Sequence, residues 1–281
     1  VEASSAIDLG RERSALEILR TALAVYVRYP LLFAVLAIGV IAPYELARLA
    51  VTGVGPLGSA TTGQEGTFLL FELVYYVLVG PLISALHVHA VIAIGEGKRP
   101  RIGPVALRGL SVLAVVCAAE IVAGILIGLG FIALIVPGII LSLRWSVVAQ
   151  TAAVDHEGWM PALRRSAKLS AGNYWHIFRV LVAIGLLTFV IAAIVGALAG
   201  SGHGAGVASV VAGIVLYTLI ASFAALTLAI LYFDLCARDA GPRLDPLPGS
   251  LDPGQPPPED QPAPSSDRVD VSRHESRRIS S

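Results

Sequence analysis

The chain has 281 residues, of which 56% are hydrophobic and 14% charged, and its 20 Lys and Arg balance 20 Asp and Glu. Soluble domains carry about 25% charged residues, so this composition, with a mean hydropathy of +0.77, excludes an ordinary water-soluble fold, and a net charge of zero gives no electrostatic reason to expect nucleic acid as a partner. The two cysteines, Cys117 and Cys236, lie in or near the end of apolar runs and predict neither a disulfide nor a metal cluster.

The first thirty residues are rich in Arg and Glu and contain no short apolar stretch with a small-residue cleavage site, so no signal peptide is expected. A helix of about 20 apolar residues crosses the ~30 Å hydrocarbon core of a bilayer. In chain order such runs cover 31–51, 67–94, 111–135, 138–155, 176–199 and 207–235, with Pro137-Gly138 as the turn between the third and fourth. Backbone groups cannot stay unpaired in lipid, so these runs read as helices. A basic, amphipathic stretch precedes each pair of spans, at 14–27, 104–110 and 161–171, and Pro161 suits a first helical turn. Residues 29–36 resemble 174–181, so the pattern is a weak threefold repeat of interfacial helix plus hairpin. The predicted fold is an all-α polytopic membrane bundle, six transmembrane helices in three hairpins with cytoplasmic amphipathic helices. Its predicted boundaries are a flexible N-terminus at 1–10, a membrane domain at 11–238 and a disordered, Pro-rich cytoplasmic tail at 239–281.

Cations set the expected orientation. Arg11, Arg13, Arg20 and Arg28 precede the first span, and Lys98, Arg99, Arg101 and Arg108 lie between the second and third. Arg164, Arg165, Lys168 and Arg179 surround the entry to the fifth, and Arg238, Arg243, Arg268, Arg273, Arg277 and Arg278 follow the sixth. With six spans all of these fall on one side, leaving only Arg48 and Arg144, both inside spans. Five or seven spans would scatter them. Both ends are therefore expected in the cytoplasm. The preference for Arg over Lys points to a GC-rich bacterial genome, and hence to a bacterial inner membrane.

Ionisable side chains in a span are costly and mark functional candidates. Five stand out: Glu72, His87, Glu120, Arg144 and Gln150. At 1.5 Å per residue, Glu72 and Arg144 lie ~7 and ~10 Å from the outer ends of their spans, while His87 and Glu120 lie ~11 and ~13 Å from the cytoplasmic ends. These depths allow a Glu72–Arg144 pair and a deeper Glu120–His87 pair, with Gln150 nearby. The constellation is either a polar path through the bundle or, as favoured here, two satisfied pairs that lock hairpins together. Glu45 and Arg48, near the outer end of span one, are expected to be exposed at the interface. His87 and His89 are two apart on a helix and point to different faces, so metal binding is not expected, and no cofactor is. Arg164, Arg165 and Lys168, with Trp175, suit a helix lying in an anionic lipid interface. HExxH, GxSxG and Walker motifs are absent, so no catalytic residue is assigned.

The runs Ile135-Val136-Pro137-Gly138-Ile139, Leu143-Arg144-Trp145-Ser146, Ala162-Leu163-Arg164-Arg165-Ser166, Gly172-Asn173-Tyr174-Trp175 and Leu231-Tyr232-Phe233-Asp234-Leu235 occur in an order and spacing that resembles the glycerophosphoryl diester phosphodiesterase membrane-domain family. That resemblance covers most of 11–238 and implies a six-helix bacterial membrane protein. Some relatives join such a region to a catalytic barrel. A TIM barrel takes ~250 residues and only about forty follow 238, so the resemblance implies no phosphodiesterase activity here. The expectation is a non-enzymatic structural, scaffolding or lipid-associated component, with a small transporter or permease-like component as the alternative. The expected partners are membrane lipids, then a second copy of the chain or another membrane protein.

Overall fold

A computed structural model of the protein describes residues 8–58, 62–98, 100–155, 157–199 and 206–241. The predicted flexible segment at 1–10 and tail at 239–281 fall mostly outside these residues. Among the described residues every regular element is helical. In chain order α1 (Ala15–Arg28) leads to α2 (Pro30–Thr52). A second span consists of α3 (Glu65–Val74), a π-helical turn (Tyr75–Val79) and α4 (Gly80–Gly95). Then come α5 (Ile102–Ser111), α6 (Leu113–Ala133), α7 (Ile135–Arg144), α8 (Val148–Asp155), α9 (Trp159–Ser170), α10 (Tyr174–Ala199) and α11 (Val207–Ala240). Six helices or continuous helix pairs are long and apolar enough to cross a bilayer. The chain is thus a polytopic helical membrane protein, and α1, α5 and α9 are the short helices that precede each hairpin.

Local chemistry explains the helix ends. Ser14 caps α1 in a reciprocal box with Glu17, which holds the Glu17 carboxyl below the usual carboxylate range through its bonds to Ser14. Pro30 opens α2 at the first helical position, where its missing N–H is not needed. Pro43 sits inside α2 without ending it. In the second span Pro81 cannot donate to the carbonyl four residues back, and the preceding turn widens so that Gly80 N–H reaches Tyr75 O.

The fourth span differs from its prediction in two ways: the turn before it lies at the extended Leu134, with Pro137 and Gly138 in the first turn of α7, where a missing proline N–H is tolerated, and the span is not one helix. It breaks after Arg144, where Ser146 N–H bonds Leu143 O at 3.5 Å and Val148 N–H bonds Trp145 O at 3.2 Å, a tighter ladder than the α-helical one. The break leaves the Arg144 carbonyl free for the Ser166 hydroxyl of α9, at 3.2 Å. Thr151 adds a bond to Ala162 O at 3.1 Å, so α9 folds back along α8 and the end of α7.

The centre of the bundle is α4, buried around nearly its whole circumference from Ile83 to Ile94, and the cytoplasmic half of α11. Many contacts there are made by alanines, among them Ala85, Ala90, Ala119, Ala149 and Ala229. In lipid, helices gain little from hiding apolar surface from water, and small side chains let backbones come close enough for dispersion and shape to hold them. The α6–α7 hairpin shows how close. A Cβ on Gly130 would stand 3.1 Å from Gly138 Cα and 2.9 Å from a Leu141 methyl, whereas Gly128 has open space. Gly130→Val is expected to destabilise the protein by ~1–3 kcal/mol through overpacking, and Gly128→Ala to be neutral or stabilising by up to ~1 kcal/mol. Unfolding of the two variants in mixed micelles checks the contrast.

Candidate functional site

The last helix has 34 residues, ~51 Å at 1.5 Å each, against ~30 Å of hydrocarbon. Its final turns therefore extend past the apolar layer when Val207 marks the other face, and they carry Asp234, Arg238 and Asp239. Asp234 is 0% exposed. Its carboxylate accepts from three separate parts of the chain: the Arg13 backbone N–H, His176 Nε2 at 2.9 Å and Arg238 Nε at 2.9 Å. Arg238 then donates through Nη2 to the Arg13 carbonyl at 2.7 Å. The Arg13 side chain turns back to the carbonyls of Asp8 and Arg11. Burial pulls the Arg13 guanidinium below its ordinary pKa against the raising effect of Asp234 and Asp8, and an arginine remains charged regardless. Asp234 thus fixes the segment before α1, the first turn of α10 and the end of α11 to one another. In the sequence Asp234 stands within the Leu231-Tyr232-Phe233-Asp234-Leu235 run. The signal was the Asp234–Arg238 spacing of four, which sets two opposite charges on one helix face.

At the other end, Glu45 and Arg48 correct an expectation. They are not exposed: their side chains retain 6% and 9% of their accessible surface and pair at 2.7 Å. Arg48 also bonds Gly55 O at 3.3 Å and lies over the Phe68 ring. Gly53, with φ +69°, turns the chain at the end of α2 so that the 54–58 segment can fold back over this pair. Glu72 is exposed, and like Glu45 it lies within electrostatic range of Tyr44, Tyr75 and Tyr217. The structure groups Glu72 with this end of the bundle.

The expected pairs do not form among the described residues. Arg144 is exposed at the α7–α9 junction, and neither it nor Glu72 is in an ion pair. His87, fully buried, donates from Nδ1 to the Ile83 carbonyl at 2.8 Å, while Nε2 meets the Ser222 hydroxyl at 2.7 Å. The carbonyl can only accept, so Nδ1 carries the proton, and both nitrogens are occupied without Glu120. Phe33 stacks on the same ring at 5.3 Å. Glu120 has no hydrogen-bond or ion-pair partner among the described residues, although Cys117, about one turn away, lies in its field. Gln150 is 1% exposed with both amide atoms unbonded.

The predicted lipid-interface residues divide. Arg165 and Lys168 both bond Asp239 of α11, at 3.0 and 3.1 Å, so part of their charge ties α9 to the bundle. Arg164 is exposed, and Trp175 is 67% exposed and stacked on Phe178, as a side chain at a membrane surface would be.

No family model, curated protein or solved structure matches the chain. The residue geometry therefore carries the functional reading.

Removing one partner of a buried charge cluster costs ~3–5 kcal/mol because the others lose their compensation, whereas a surface pair contributes at most ~1 kcal/mol. Asp234→Ala is expected to lower stability by the larger amount and Arg165→Gln by the smaller, read from unfolding in mixed micelles. Equal losses would remove Asp234 as the organising residue.

Proposed function

We propose that the protein is a non-enzymatic, structural or lipid-associated component of a bacterial inner membrane, with the arginine-rich end of the bundle in the cytoplasm. The observation that carries this reading is the closure of the strongest polar groups on nearby protein partners. Asp234 is occupied by Arg13, His176 and Arg238, Glu45 by Arg48, and both nitrogens of His87 by Ile83 and Ser222. A relay needs groups that exchange partners, and groups held this way serve to position helices. Arginine clustering on one side supports the orientation, and the motif order supports a relation to the glycerophosphoryl diester phosphodiesterase membrane domains, with no catalytic residue carried over.

One observation favours the transport alternative: Glu120 lies in a span with no hydrogen-bond or ion-pair partner among the described residues. Reconstituted wild-type protein is expected to pass protons or small solutes no faster than empty vesicles, and Glu120→Gln to leave that baseline unchanged. A flux that wild type supports and Glu120→Gln abolishes, at equal folding yield, would replace the structural reading with the transport one.

A further inference from the structure

A second feature lies away from Asp234. Between α4, α5 and α8 runs a cleft of about 350 Å³ lined by His89, Ile92, Arg108, Ser111 and Val154. We propose that this cleft is an anion site for a phosphate group, with Arg108 as its charged contact and His89 and Ser111 as hydrogen-bonding groups.

Three observations support it. The backbone that carries Arg108 and Ser111 is held by the fold, since Gly109 packs so tightly on α4 that a Cβ there would stand 2.7 Å from a Leu86 methyl. That contact fixes the last turn of α5, where Arg108 and Ser111, three apart, share a face. Arg108 is also uncommitted: no ion pair holds it among the described residues. The acid in whose field it lies, Glu96, bonds Lys98 at 2.7 Å, and that lysine holds the Glu96 carboxyl below the usual carboxylate range. Asp155, beside the lining residue Val154, lies within electrostatic range of Arg165. Thirdly, α5 leaves Leu107 and Leu110 exposed, and apolar side chains on a short basic helix place it where acyl chains meet headgroups.

A guanidinium meets phosphate oxygens through two parallel N–H bonds, the geometry that makes arginine a preferred phosphate ligand. The Ser111 hydroxyl now donates to the Arg108 carbonyl at 2.8 Å and can rotate toward a ligand. Basic pockets between membrane helices are a recurring way of holding lipid headgroups. The same chemistry admits free phosphate.

The proposal deepens the lipid-associated part of the reading above and fails separately from it, because its readout is binding rather than flux. The full chain in a neutral detergent is titrated with inorganic phosphate and, separately, with dihexanoyl phosphatidic acid, following the thermal unfolding midpoint and ³¹P line widths. A saturable response is expected that Arg108→Gln weakens about tenfold or more, Arg108→Lys weakens less, and Arg20→Gln, which alters an exposed cation on α1, leaves unchanged. Saturation by inorganic phosphate assigns a free anion, and saturation by the lipid alone assigns a headgroup; either supports the site. No saturable response, or equal losses from Arg108→Gln and Arg20→Gln, would overturn it.

Discussion

A carboxylate removed from water must find its hydrogen bonds within the protein, and the rest of this architecture depends on how Asp234 meets that demand. The residue has no exposed surface, and its partners come from before α1, from the start of α10 and from its own helix. Helix packing in lipid is held mainly by dispersion and shape, which tolerate small slides and rotations. A buried charge with directional bonds does not. Asp234 therefore supplies register at the arginine-rich end, where alanine-lined helices alone would leave it loosely set.

The opposite end uses a local device. Glu45 and Arg48 are three apart on α2 and neutralise each other before any other helix is involved, and the 54–58 segment then closes over them. The two ends differ in what they stabilise: the Glu45–Arg48 pair completes one helix and its following turn, whereas the Asp234 cluster joins segments far apart in the chain. Between them His87 acts as a satisfied crosslink from α4 to α11, with Phe33 of α2 stacked against it. Among the described residues, the expected polar-network residues Glu120 on α6 and Gln150 on α8 hold no side-chain hydrogen bond.

The short helices before each hairpin do more than mark the surface. α9 bonds to α7, α8 and α11, α1 packs along α10 and α11, and α5 closes against α4 to form the polar cleft. Basic residues in such helices thus have two destinations. Arg165 and Lys168 turn to Asp239, whereas Arg164 faces outward and Arg108 lines the cleft.

Hydrophobic length and the placement of arginines determined, from the sequence alone, that six helices cross the bilayer and that a short helix precedes each hairpin, but not the turn between the third and fourth spans, which lies at Leu134 rather than at Pro137-Gly138. The helices follow because hydrocarbon forces every backbone bond to be local, so each span can be read without knowing its neighbours. The local pairs were readable in principle too, since Glu45–Arg48 and Asp234–Arg238 have helical spacings. Counting residues along a helix, however, gives depth and nothing else. It put Glu72 level with Arg144 and Glu120 level with His87, but said nothing of which way each helix faces or which helices adjoin. Only the tertiary structure decided that His87 turns to Ser222, that Arg144 sits against α9 at a break in its span, and that Asp234 meets a backbone N–H 221 residues earlier in the chain. Helix rotation and neighbour choice come from the sum of many small packing contacts, and no single residue spacing carries that information.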